Sequence, residues 1–135
     1  MENDETAPVD LLVCVKCRRG EDDLPDERRP GLRLYDALAA SKLPDRVRLE
    51  PVECLQNCDN GCTVALRGAD RWTYIYGNVD EAAQVEMLLD GARRYQATSD
   101  GLIPWRERPE HFKRNCVARV PPITSGKLGG GQQDD

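Results

Sequence analysis

The chain has 135 residues, with 24 acidic and 19 basic side chains and a net charge of −5. That length supports one domain with a modest core, and the acidic balance argues against a nucleic-acid partner, which wants a basic face. No run approaches the roughly 18–20 apolar residues of a membrane span, and residues 1–10 carry neither a positive n-region nor an apolar h-region. A cytoplasmic, reducing setting is therefore expected for the six cysteines, where clustered thiols bind metal or do redox chemistry more often than they form disulfides.

Residues 1–8 are a polar lead-in. Val9-Asp10-Leu11-Leu12-Val13-Cys14-Val15 is a short, nearly continuous apolar run, the pattern of a buried strand, and Cys14 and Cys17 fall at its C-terminal end. Residues 18–31 are charged and punctuated by Gly20, Pro25, Pro30 and Gly31, so they read as a loop. Residues 32–42 hold helix formers, with Leu34, Leu38 and Ala39 on one face; Pro44 stops that helix by Leu43. Residues 46–52 alternate, Val47, Leu49 and Pro51 facing one way and Arg46, Arg48 and Glu50 the other, which predicts a strand with one solvated face.

Next comes Glu53-Cys54-Leu55-Gln56-Asn57-Cys58-Asp59-Asn60-Gly61-Cys62, three thiols in nine residues, with Asp59-Asn60-Gly61 as turn chemistry. Residues 62–66 and 72–76 predict a third and a fourth strand, joined by a hairpin at Gly68-Ala69-Asp70. Asn78 or Asp80 can cap a second helix over residues 80–94, whose apolar stripe is Val85, Leu88, Leu89 and Ala92 and whose last turn carries Arg93 and Arg94. Further on, Asp100-Gly101 is a turn, Ile103-Pro104-Trp105 an extended piece, and residues 109–115 a short helix with Pro in its first turn. The expected organisation is a domain over residues 9–94, an extension over 95–123 packed on it, and a Gly/Gln/Asp-rich disordered tail over 124–135.

Strand, helix and strand make a βαβ unit, whose two strands run parallel. Parallel strands end on the same edge of a sheet, so Cys14/Cys17 and Cys54/Cys58 should be delivered to one edge, where sites on open α/β sheets form. Four thiolates from two loops suit either tetrahedral zinc, with sulfur ligands at about 2.3 Å, or an iron–sulfur cluster. Structural zinc favours paired C-x2-C knuckles. Only Cys14-x2-Cys17 has that spacing, whereas Cys54-x3-Cys58-x3-Cys62 has wider gaps, so the cluster leads and zinc is the alternative.

A thioredoxin-type dithiol at Cys14-x2-Cys17 is a third reading, weakened because residues 18–31 separate the pair from the helix N-terminus that would lower a thiol pKa. Cys62 reads equally as a ligand and as a buried strand cysteine. Cys116 stands alone on the tail. His111, the sole histidine, excludes a Rieske centre, which needs two, and reads as a surface residue. Trp105, Arg106 and Arg108 could dock a redox partner, but packing of Ile103 and Trp105 on the sheet is preferred. No acid–base constellation suggests an enzyme.

The run Cys54-Leu55-Gln56-Asn57-Cys58-Asp59-Asn60-Gly61, an apolar strand, a hairpin and Tyr76-Gly77-Asn78-Val79 before a helix resemble the thioredoxin-like 2Fe-2S ferredoxins, a group that includes the small cluster subunit of NADH dehydrogenase. Val13-Cys14-x2-Cys17-Arg18, Val52-Glu53-Cys54-Leu55-x2-Cys58-x2-Gly61-Cys62, Trp72-Thr73-Tyr74 and Gly101-Leu102-x-Pro104-Trp105-Arg106-Glu107-Arg108-Pro109-Glu110 resemble the DUF1636 family of small bacterial proteins, described as metal-binding or ferredoxin-like. The resemblance implies an α/β, thioredoxin-like fold with a four-stranded mixed sheet in the order β-α-β-β-β-α. It further implies a 2Fe-2S cluster on Cys14, Cys17, Cys54 and Cys58, and a one-electron carrier that meets a redox partner protein, with a homodimer among its open oligomeric states. In those ferredoxins the first loop supplies two ligands separated by a longer insert. Residues 18–53 here hold no cysteine, so Cys62 is the alternative to Cys17 as fourth ligand.

Overall fold

A computed structural model describes residues 7–16, 29–53, 55, 62–80 and 82–123. Its elements are β1 (Val9–Cys14), α1 (Pro30–Ala39), β2 (Val47–Val52), β3 (Val64–Gly68), β4 (Thr73–Tyr76), α2 (Val85–Gln96), a single 3-10 turn (Trp105–Glu107), α3 (Glu110–Arg114) and β5 (Cys116–Val120). The strands lie in the order β2-β1-β3-β4-β5. β1 pairs parallel with β2, from Val9 opposite Val47 to Cys14 opposite Val52, and antiparallel with β3. β4 and β5 continue the sheet as antiparallel neighbours.

All six residues of β1 are buried, Asp10 among them, as the nearly continuous apolar run of a central strand requires. Val9, Leu11 and Val13 join Leu66 and Val64 of β3, Leu34 and Leu38 of α1, and Leu88, Ala92 and Tyr95 of α2 in one core. The opposite face is polar near its start, where Asp10 accepts from Arg48 Nε at 2.9 Å and Arg67 Nε at 3.1 Å. β2 buries Val47 and half-buries Leu49 but exposes Pro51, as a border strand with one wet side does.

Several boundaries differ from the sequence expectation. α1 begins at Pro30, whose fixed φ and missing N–H suit the first helical turn, so Pro30 and Gly31 are helical and not loop. It ends at Ala39, which is exposed, so the inward stripe is Leu34 and Leu38 without Ala39. α2 starts five residues late: Asp80 Oδ1 accepts the N–H groups of Ala82 and Ala83, each at 2.8 Å, and that side chain caps a separate turn before the helix. At the other end α2 runs to Gln96, because buried Arg71 donates its Nε to the Thr98 carbonyl and Nη2 to the Gln96 carbonyl, both at 3.0 Å. A guanidinium there satisfies carbonyls the helix cannot and opposes the negative end of its dipole.

The sheet has five strands, not four, and the described residues hold a third helix. β5 pairs with β4 through a register shift at Ile75 and Tyr76, and every one of its residues is exposed. With no buried alternation, Cys116–Val120 left no strand signature to read. Ile103 packs into the core, but Trp105 sits in the 3-10 turn and is 58% exposed, so the packing expectation holds for the first and fails for the second. Phe112 of α3 is buried, stacked on the Tyr76 ring at 3.8 Å between centroids. The approach of α3 to α2 depends on Gly91, where a Cβ would lie 2.5 Å from two Phe112 ring carbons. The expected tail over 124–135 lies outside the described residues.

Candidate metal centre

Three strand ends meet at one edge of the sheet. β1 stops at Cys14, level with Val52, the last residue of β2. The Val15 amide donates to the Val52 carbonyl at 2.9 Å, and the Cys14 amide donates to the Thr63 carbonyl at 3.1 Å. The Cys14 thiol lies 3.5 Å from the Glu53 carbonyl oxygen. Glu53 immediately precedes Cys54 and Thr63 immediately follows Cys62. Cys14 is thus tied to both ends of the segment that carries the three-thiol string, by its thiol to Glu53 and by its amide to Thr63.

Cys14 is 4% exposed and Cys62 is fully buried. Cys62 continues the inward row of Val64 and Leu66 on alternate positions, and both cysteines belong to the core cluster. Cys17, Cys54 and Cys58 lie outside the described residues. Among the described residues, no group of three or more His, Cys, Asp or Glu side chains could hold a metal ion. The donor chemistry at the edge nevertheless suits a thiolate-bound group: a water-shielded sulfur sits at the end of a rigid central strand, one residue from where another thiol-bearing segment begins. Arg29 donates to the Lys16 carbonyl at 3.5 Å, which sets a guanidinium beside the chain leaving Cys14.

Burial shifts two titratable groups on the neighbouring strands β4 and β5. Burial pushes the Tyr76 phenol far above its ordinary value, with Cys116 and Tyr74 adding to the rise and Arg108 opposing it. Burial likewise raises the Cys116 thiol, against a lowering hydrogen bond to Ala118. Tyr76 is a packing ring that keeps its proton.

His111 is not a free surface residue. Its Nε2 lies 2.8 Å from the Gly77 carbonyl oxygen, which can only accept, so that nitrogen carries the proton. Nδ1 then accepts from Gln84 Nε2 at 2.9 Å. Both ring nitrogens are engaged on the protein itself. Its partners lie 34 and 27 positions away, so no local spacing in the sequence marked this role. Trp105 stands between Arg108 and Lys113, each cation 5.4 Å from its ring centroid.

No helix among the described residues is long and apolar enough to cross a membrane. No curated protein matches the chain. Two solved structures do, both of a thioredoxin-like [2Fe-2S] ferredoxin from Aquifex aeolicus. Each has a TM-score of 0.54 and 17% identity, covering 83% and 93% of this chain and 98% of the ferredoxin. The fold is accordingly α/β and thioredoxin-like, with β5 as a fifth strand. Residues 11–122 match the family described as "Protein of unknown function (DUF1636)", and the chain belongs to that family.

Proposed function

We propose that the chain binds a 2Fe-2S cluster and serves as a one-electron carrier. The observation that supports this furthest is the parallel register of β1 and β2, which sets Cys14 level with Val52, two residues before Cys54. Cys14, Cys17, Cys54 and Cys58 would hold the cluster, with Cys62 in place of Cys17 as the alternative. The bound group would supply a single-electron redox centre, about −2 oxidised and −3 reduced by formal charge with four thiolates. The chain's own contribution is rigidity, exclusion of water from the Cys14 sulfur, and cations: Lys16 and Arg29 beside the edge favour the more negative, reduced form. As a carrier it would work with a redox partner protein.

Anaerobically purified protein should be red-brown, contain about two iron and two sulfide per chain, and give an EPR signal on reduction with dithionite. Colourless protein with one zinc per chain would overturn the reading. Cys14→Ser, Cys54→Ser and Cys58→Ser should each lose the cluster, and the Cys17→Ser and Cys62→Ser variants decide the fourth ligand.

A further inference from the structure

The segment from Gly77 to Asp80 is held on two sides. On one side it pairs with Cys62: the Cys62 amide donates to the Val79 carbonyl at 3.1 Å, and the Val79 amide returns a bond to the Cys62 carbonyl at 3.0 Å. On the other side it is gripped by α3 and the residues around it. His111 Nε2 donates to the Gly77 carbonyl at 2.8 Å, and the Gly77 amide donates to the Asn115 carbonyl at 3.0 Å. Asn78 Nδ2 donates to Asn115 Oδ1 at 3.0 Å. Gln84 accepts the Asp80 amide on its Oε1 at 2.8 Å and offers Nε2 to His111 Nδ1 at 2.9 Å. Asn115 Nδ2 closes the ring by donating to the His111 carbonyl at 3.1 Å.

This arrangement holds Asn78 at φ 55°, a left-handed conformation that asparagine tolerates better than most residues. Val79, between the two sides, is completely buried. Cys62 is where the thiol-bearing segment re-enters the sheet. The start of that segment is fixed by Cys14 and Val15 against Glu53 and Val52. Its far end is held by the bond from the Cys14 amide to the Thr63 carbonyl and by the reciprocal Cys62–Val79 pair, whose outer segment is in turn bonded to His111 and Asn115.

We propose that His111 and Asn115 are positioning residues for the sulfur-bearing edge: they clamp residues 77–80 and so fix the downstream anchor of the segment carrying Cys54 and Cys58. The assignment to a cluster rests on the proposed function, while the clamp is a property of the chain. His111 acts as neither ligand nor proton carrier. Its role needs one donor and one acceptor at fixed separation, which Gln can reproduce and Ala cannot.

Two measurements test this. In the metal-free protein, amide exchange at Cys62 and Val79 should quicken at least about tenfold in His111→Ala relative to Leu11 and Leu66 at the sheet centre, since a buried acceptor is stranded. His111→Gln should return most of that protection. Equal acceleration at all four amides, or none, would overturn the clamp. If His111→Ala fails to fold, Asn115→Ala carries the test: it removes the bond from Asn78 and should loosen Val79 while sparing Leu11. In iron-loaded protein, His111→Ala should broaden the EPR signal and release iron to a chelator about tenfold faster, with His111→Gln near wild type. Unchanged EPR and release in a variant whose exchange has quickened would show that the clamp does not position the centre. Wild-type protein that takes up no iron would remove the cluster from the proposal, and exchange alone would then decide the clamp.

Discussion

Gly91→Ala sets two opposing effects against each other at one atom. In the interior of α2, alanine is favoured over glycine by about 1 kcal/mol. The added methyl, however, would lie 2.5 Å from two ring carbons of Phe112, about 1 Å inside ordinary carbon–carbon contact. The ring cannot simply withdraw, because it is 2% exposed and stacked on Tyr76 with 3.8 Å between centroids. Overpacking of this kind costs about 1–3 kcal/mol. The clash is shared between a helix and a ring that must both move, so the upper half of that range applies, leaving a net loss of about 1–2 kcal/mol. Urea denaturation of Gly91→Ala should show a lower midpoint at an unchanged slope. In a Phe112→Ala background the obstacle is gone, and the same substitution should become stabilising by up to about 1 kcal/mol. A stabilised Gly91→Ala single variant, or one whose sign does not reverse in the double-mutant cycle, would refute the close approach of α3 to α2.

Gly101→Ala should be more damaging than Gly91→Ala, because Gly101 has φ 83° and its Cβ would lie 2.9 Å from both the nitrogen and the oxygen of the Trp72 backbone, which cannot rotate away; a loss of about 2–4 kcal/mol in urea is expected. Arg71→Met keeps the volume but strands the Gln96 and Thr98 carbonyls, and should cost about 2–4 kcal/mol with α2 fraying from its C-terminus, seen as lost amide protection near Gln96. Asp90→Asn addresses pH. Hydrogen bonds from Arg94 and Arg93 hold the Asp90 carboxyl below its ordinary value, despite an opposing desolvation effect. A depressed folded pKa gives stability that is present above the unfolded value of 3.8 and disappears as pH falls through the folded one. Wild type should exceed Asp90→Asn at pH 7, by no more than about 0.5–1 kcal/mol because the side chain is 42% exposed, and the two should converge in acid.

The parts of the fold that could be read from the sequence were those where burial imposes a period. The apolar run of β1, the alternation of β2 as far as Leu49, and the stripe of Leu88 and Ala92 all pack as their spacing implies. The parallel pairing of β1 with β2 followed from element order alone, and with it the meeting of Cys14 with the residues that flank Cys54 and Cys62. What escaped is set by polar contacts between distant residues. The true start of α2 follows from the Asp80 carboxylate, its end from Arg71, and the engagement of His111 from a backbone carbonyl 34 positions away. None of these leaves a periodic trace. The exposed β5 belongs to the same class, since only its pairing with Thr73–Tyr76 makes it a strand.

The two outer borders of the sheet share a chemistry that bears on how copies of the chain behave at high concentration. β2 carries Pro51 between Glu50 and Val52, and β5 has Arg119 near its end and runs directly into Pro121 and Pro122. Proline has no amide hydrogen to offer a newcomer, and a border charge would have to shed its hydration. Neither margin can therefore template an endless ribbon, although Val117 and Val120 lie open to solvent. Replacing Pro121 and Pro122 with valine would remove one of those stops and should turn a clear concentrated solution into one that deposits fibres.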